Sequence, residues 1–239
     1  MRKPRVITTW PEQASGVFTS LLESKGIEVL SMPLTHIVEN PFVFDQPIEK
    51  YDWIVFTSKN GVKHFWQHQT KHKRNKIAVI GTGTAGAFEE LPFYPDFVGS
   101  GQSGQQFADE LKSILRPGQN LLLALGNKAP GILEEAFKED FLVERINVYA
   151  TVKTPEVDQE VLTLMENNAY DIIAVSSPSA VQHLSELTKK RQPSDIRMVS
   201  IGQTTTEAAL ESGFSALVTA DTPGYDNLAR CVLQQFGMI

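Results

Sequence analysis

The chain matches itself. Residues 51–65 (YDWIVFTSKNGVKHF) align without a gap on residues 170–184 (YDIIAVSSPSAVQHL), and six of the fifteen pairs are identical. The identities are Tyr51/Tyr170, Asp52/Asp171, Ile54/Ile173, Ser58/Ser177, Val62/Val181 and His64/His183. Ile80-Gly81 through Thr84 then pairs with Ile201-Gly202 through Thr205, and Ser103-Gly104 pairs with Pro223-Gly224. Three matched segments in one order, at an offset of about 120 residues, describe an internal duplication. Two copies of one unit should fold as two similar lobes.

Hydrophobic periodicity says what each unit is. Short apolar runs at 5–9, 52–57, 76–80, 120–125, 143–149, 171–176, 197–201 and 215–219 alternate with longer stretches at helical spacing. Runs such as Trp53-Ile54-Val55-Phe56 and Ile172-Ile173-Ala174-Val175 are apolar throughout, which suits strands covered on both faces. Ser103 precedes one helical pattern as a cap, and Pro223 is placed as a first-turn proline of another. The alternation predicts an α/β fold with parallel sheets.

Composition narrows the partners. With 41% apolar and 21% charged residues the chain is globular. Its net charge of −6 lacks the basic excess that neutralises phosphates, so no nucleic-acid partner is expected. The longest apolar run, residues 121–125, is far short of the ~20 residues that cross a bilayer. Residues 6–10, between a basic start and Pro11, are too short for a signal-peptide core. A lone cysteine, Cys231, excludes an internal disulfide framework. A cytoplasmic protein is expected.

In each repeat a strand ends in Ser or Thr and passes directly into a helix: Thr57-Ser58-Lys59-Asn60 in one, Ser176-Ser177-Pro178-Ser179 in the other. Open α/β sheets bind ligands at the carboxyl ends of their strands, where helix N-termini present free N–H groups that suit carboxylates or phosphates. Gly81-Thr82-Gly83-Thr84 and Gly202-Gln203-Thr204-Thr205 add a second such turn per lobe. Thr204 with Glu207 also fits a capping box. Any one of these hydroxyls could simply cap a helix; four equivalent turns point to a polyanionic ligand.

Other motifs carry less. Residues 81–86 read G-x-G-x-x-G, but residues 98–102 hold no acid where a dinucleotide fold needs one, and the copy at Gly202 lacks the later glycines. His64, His68 and His72, at i, i+4 and i+8, are expected to share one helix face, which could mimic a metal site. They lie among Lys63, Lys71, Lys73 and Arg74, and the reading is a solvated basic helix end, not a metal site. Cys231 sits beside Val232 in an amphipathic stretch as a small core residue.

The ordered set FTSKNGV (56–62), IGTGTAGAF (80–88), VYAT (148–151), SPSAV (177–181) and IGQTTTEAALESG (201–213) resembles the uroporphyrinogen-III synthase family over nearly the whole chain. The resemblance implies two flavodoxin- or Rossmann-like lobes joined by a two-stranded linker, with the active site in a cleft. One lobe would span residues 37–149, inserted into a second made of 1–33 and 153–239, with linkers at about 33–37 and 149–153. It implies cyclisation of hydroxymethylbilane, a linear tetrapyrrole, with loss of water and inversion of ring D. No cofactor or metal is implied, and a monomer is expected.

Hydroxymethylbilane carries eight carboxylates, so clustered hydroxyl, N–H and lysine donors are fitting chemistry. The bilane closes unaided to the unrearranged isomer I, so the enzyme must chiefly impose geometry. A weak acid near the departing hydroxyl would help, and the resemblance assigns that role to Tyr149. The residues expected to hold substrate are Thr57, Ser58, Lys59, Asn60, Thr82, Gly83, Thr84, Ser103, Gly126, Asn127, Lys128, Ser177, Ser179, Gln203, Thr204 and Thr205. Two departures from the family stand out. Many members carry arginine where this chain has Thr9-Trp10-Pro11, and many carry one in the helix start after Gly126, where Pro130 stands here. Lys128 or Lys59 could supply that charge. The alternatives are a non-catalytic two-lobed binder or sensor of a tetrapyrrole or other polyanion, and a different sugar- or phosphate-handling α/β enzyme.

Overall fold

The computed structural model describes residues 2–11, 16–101, 103–188 and 196–239; Gln102 of the acid-free stretch lies outside them. The chain forms two units, Met1–His36 with Val152–Ile239, and Ile37–Thr151.

The discontinuous unit is built on a five-stranded sheet. Its strands are β1 (Arg5–Thr8), β2 (Glu28–Ser31), β9 (Ile172–Val175), β10 (Met198–Ser200) and β11 (Ala216–Thr219). Their order is β11-β10-β9-β1-β2, and every pairing is parallel. Counted along the chain this is the 2-1-3-4-5 order of flavodoxin-like sheets. Helices α1 (Gly16–Glu23), α6 (Gln159–Glu166), α7 (Pro178–Leu187), α8 (Gln203–Glu211) and α9 (Tyr225–Gln235) supply the apolar faces that cover it. The central β9 is buried at every position, which is why its sequence does not alternate.

The inserted unit holds β3 (Thr35–Glu39), β4 (Trp53–Phe56), β5 (Lys76–Val79), β6 (Phe97–Val98), β7 (Asn120–Gly126) and β8 (Leu142–Lys153). β3 and β8 run across the unit boundaries. The sheet order is β3-β8-β7-β4-β5-β6, with parallel pairing from β8 through to β6. Its helices are α2 (Lys59–Trp66), α3 (Thr82–Ala85), α4 (Gly104–Lys112) and α5 (Ile132–Phe137).

The two sheets share one spatial plan. β4, β5 and β6 take the places of β9, β10 and β11, while β7 and β8 take those of β1 and β2. The duplicated units are therefore circular permutants: one chain enters its sheet at the β1 position, the other at the β9 position. In each, the strand order reverses once, between β1 and β9 or between β4 and β7. Loops at the carboxyl ends of those strands diverge and leave room for a ligand.

Ser58, Ser103 and Ser177 are N-caps, their hydroxyls accepting from Gly61, Gln106 and Ala180 at 3.0, 3.1 and 3.2 Å. Two helix starts differ from the sequence reading. The N-cap of α8 is Gly202, with no side-chain cap bond, so Thr204 is already inside the helix and no capping box forms. Pro223 precedes α9, whose N-cap is Gly224 at φ 154°, a backbone that favours glycine.

Candidate functional site

At the β4/β7 reversal of the inserted unit lies a hollow of about 350 Å³. Thr57 and Ser58 reach it from the end of β4, Leu125 and Lys128 from the end of β7, and Tyr149 from β8. Pro130, Ile132 and Leu133 add apolar wall. The Tyr149 hydroxyl is 3.0 Å from the Ser58 Oγ. Gly126 explains how the phenol fits: a Cβ there would fall 2.6 Å from the Tyr149 hydroxyl and 2.7 Å from its Cε2, so only glycine leaves the ring its place.

The loop after β7 is held from beneath. Arg145, on β8, donates from Nη2 to the Gly126 and Ala129 carbonyls at 3.0 and 3.1 Å, and from Nε to Asn147 Oδ1 at 3.2 Å; its Nη1 pairs with Glu134. Asn127 donates its N–H to the Tyr149 carbonyl at 3.2 Å, and its Oδ1 accepts the Thr151 N–H at 2.9 Å. These bonds fix where β8 presents Tyr149.

Other expected residues of the inserted unit lie outside this hollow. Lys59 and Asn60 line a separate recess of about 460 Å³ with Lys63 and Trp66. Thr82 and Gly83 are exposed at the start of α3, whereas Thr84 is buried. Gly81 is spaced for a backbone neighbour, since a Cβ there would meet Gly101 Cα at 2.7 Å. In the discontinuous unit the Ser177 and Ser179 hydroxyls face each other at 3.3 Å. Gln203 bonds Glu207 at 3.2 Å, Thr204 is exposed and Thr205 is buried at 3% exposure. Trp10, in the loop after β1, is 3% exposed and packs on Phe18 and Tyr225, at ring separations of 5.1 and 5.0 Å. Burial raises the Tyr225 phenol pKa, and Ser176 bonds to that side chain.

The histidine spacing does not make one helix face. α2 ends at Trp66, before His68 and His72. His68 Nε2 pairs with Glu39 at 2.8 Å, and His72 Nδ1 accepts the Arg74 N–H at 3.3 Å. Among the described residues no group of three or more His, Cys, Asp or Glu could hold a metal ion, and no helix is long and apolar enough to cross a membrane.

A family model described as uroporphyrinogen-III synthase HemD matches residues 16–230. The chain belongs to the uroporphyrinogen-III synthase family. It is similar to the chloroplastic uroporphyrinogen-III synthase of Oryza sativa subsp. japonica, at 28% identity over 97% of this chain and 80% of that one. Two solved structures share the fold. A mutant uroporphyrinogen III synthase from the extremely thermophilic bacterium Thermus thermophilus has 18% identity and a TM-score of 0.63, covering 99% of this chain and 100% of its own. The Helicobacter pylori uroporphyrinogen-III synthetase has 17% identity and a TM-score of 0.65, covering 98% of this chain and 100% of its own. The chain is thus an enzyme of tetrapyrrole biosynthesis with the two-lobed α/β fold of its family.

Sequence reasoning missed two residues that support Tyr149 and the loop beside it. His64 stacks on Tyr149, with ring centroids 6.0 Å apart and planes at 29°. Its signal was present in the repeat, where His64 pairs with His183. The copies have diverged, since His183 is buried with Nδ1 2.6 Å from the Leu34 carbonyl. Arg145 had no sequence signal beyond its place in an alternating strand.

Proposed function

We propose that the chain closes hydroxymethylbilane to uroporphyrinogen III at the hollow beside Tyr149, with loss of water and inversion of ring D. The supporting observation is the Tyr149–Ser58 hydroxyl pair at 3.0 Å on the rim of a hollow with apolar walls. Ser58 Oγ already accepts the Gly61 N–H, so its own proton is free to go to the Tyr149 oxygen. The phenol proton then points to whatever fills the hollow. Delivered to the hydroxymethyl oxygen, it lets the C–O bond break and water leave, with the positive charge spread over the adjoining pyrrole. Apolar walls keep bulk water from the cation while the rings are turned, which is catalysis by orientation.

Carboxylate contacts fall to Thr57 and Lys128 at the hollow, to Lys59 and Asn60 in the neighbouring recess, and to exposed groups at the Ser103, Ser177, Gln203 and Thr204 turns. The reading includes a cytoplasmic monomer whose lobes are connected through residues 33–37 and 149–153. The test is incubation with freshly generated hydroxymethylbilane, oxidation and separation of the porphyrin isomers. Isomer III in excess over the protein-free reaction is expected. Isomer I alone, at the protein-free rate, overturns the reading; tight binding of the bilane with that result favours the non-catalytic binder.

A further inference from the structure

The ring of His64 lies nearly parallel to that of Tyr149, 6.0 Å away at 29°. Two groups that touch this phenol come from α2 and its cap: Ser58 caps the helix and meets the hydroxyl, while His64, further along, backs the ring. The Nδ1 of His64 is shut off from solvent and has no hydrogen-bond partner among the described residues. A neutral imidazole tolerates this as a bare acceptor. An imidazolium would have to bury an unpaired N–H, which costs far more.

We propose that His64 is a positioning residue, whose neutral ring holds the Tyr149 phenol on Ser58 with its proton open to the hollow. The proposal rests on the assignment of Tyr149 as the acid and adds what keeps that acid in place. The groups around His64 are Lys63 and His68 from α2 and the turn after it, Glu39 from β3 and Tyr149 from β8. Burial, then Lys63, lower the His64 pKa from 6.5; Glu39 opposes them, though Glu39 is itself paired with His68. As pH falls, charging His64 draws the ring toward water and frees the phenol to rotate.

The experiment compares wild type with His64→Ala and His64→Phe, measuring kcat and KM across pH together with histidine ring-proton NMR. Substrate carboxylates are held elsewhere, so His64→Ala should lower kcat by about tenfold, as a slackened catalytic geometry does, and leave KM nearly unchanged. His64→Phe keeps a flat ring that cannot charge, so it should restore kcat and abolish the acid limb of the profile. A His64 resonance, assigned by its loss in His64→Phe, should show a ring-current shift that disappears in Tyr149→Ala. Unchanged kcat in His64→Ala, or an acid limb that persists in His64→Phe, overturns the proposal alone. Wild type that makes no isomer III overturns the assigned function and this proposal together, and the NMR shift then still reports whether the rings stack.

Discussion

The Tyr149 hydroxyl stands 3.0 Å from the Ser58 Oγ, and that same oxygen accepts the Gly61 N–H at 3.0 Å. One serine therefore caps a helix and meets the Tyr149 phenol. Its duplicate, Ser177, keeps only the cap: it starts α7, and its other close hydroxyl is Ser179. The permuted sheets are alike, but β8 brings Tyr149 to the β4/β7 reversal, whereas after β1 it is Trp10 that lies buried against Phe18 and Tyr225.

Removing the phenol oxygen tests the acid directly. Tyr149→Phe should lower kcat by about 10²-fold, the scale of one general acid. It should cost only about 1 kcal/mol of stability for the lost hydrogen bond. Single-turnover rates on fresh bilane and a urea titration separate the two. An unchanged rate takes Tyr149 out of the chemistry.

Gly126→Ala asks whether the ring needs its present position. The added Cβ would lie 2.6 Å from the Tyr149 hydroxyl, so the ring must move off Ser58. Overpacking of this kind costs about 1–3 kcal/mol, and a misplaced group costs about 10²-fold in rate. Turnover should fall far more than the melting temperature implies. Wild-type kcat in this variant would show that the phenol's placement is immaterial.

The two cap serines should separate by kinetics. Ser58→Ala and Ser177→Ala each remove a cap and should each cost about 1 kcal/mol in thermal melts. Ser58→Ala should also lower kcat, because Tyr149 loses its partner; Ser177→Ala should act on KM. Equal kcat losses would contradict the asymmetry of the two turns.

Stability should also depend on pH through His64. Its folded pKa is depressed below 6.5, so as pH falls the unfolded chain takes the proton first. Stability is then greater at neutral pH and declines as pH drops below about 6.5. His64→Phe should flatten that decline in urea midpoints between about pH 5.5 and 7.5. An unaltered slope would mean that the ring is equally free to charge in the folded chain.

Local pattern made the strands and caps legible: apolar runs marked β4 and β9, and Ser58, Ser103 and Ser177 cap the helices that follow them. The repeat pointed to two units of like plan, because matched segments in one order need matched neighbours. Residues brought together across the sheet were less visible. Tyr149 lies over Gly126 because β7 and β8 pair with a register shift at Gly126, a feature no local window contains. Thr84 and Thr205 look like ligand hydroxyls in sequence, but helical phase turns both inward. The spacing of His64, His68 and His72 suggested one face only while α2 was assumed to continue past Trp66.

Arg145 supplies the last prediction, since it shapes the site without touching the hollow. Its guanidinium holds two carbonyls of the loop carrying Lys128 and pairs with Glu134, and both side chains are only about a quarter exposed. Arg145→Ala should cost about 2–3 kcal/mol, because charge-assisted bonds are lost and Glu134 keeps a half-buried charge without its partner. Arg145→Lys should recover only part of this, since an ammonium lacks the planar fork that reaches both carbonyls and the carboxylate together. Loosening residues 126–130 moves the floor under Tyr149, so kcat should fall in the order wild type, Arg145→Lys, Arg145→Ala. Thermal melts and turnover rates that leave Arg145→Lys equal to wild type would show that charge alone, and not the fork, holds the loop.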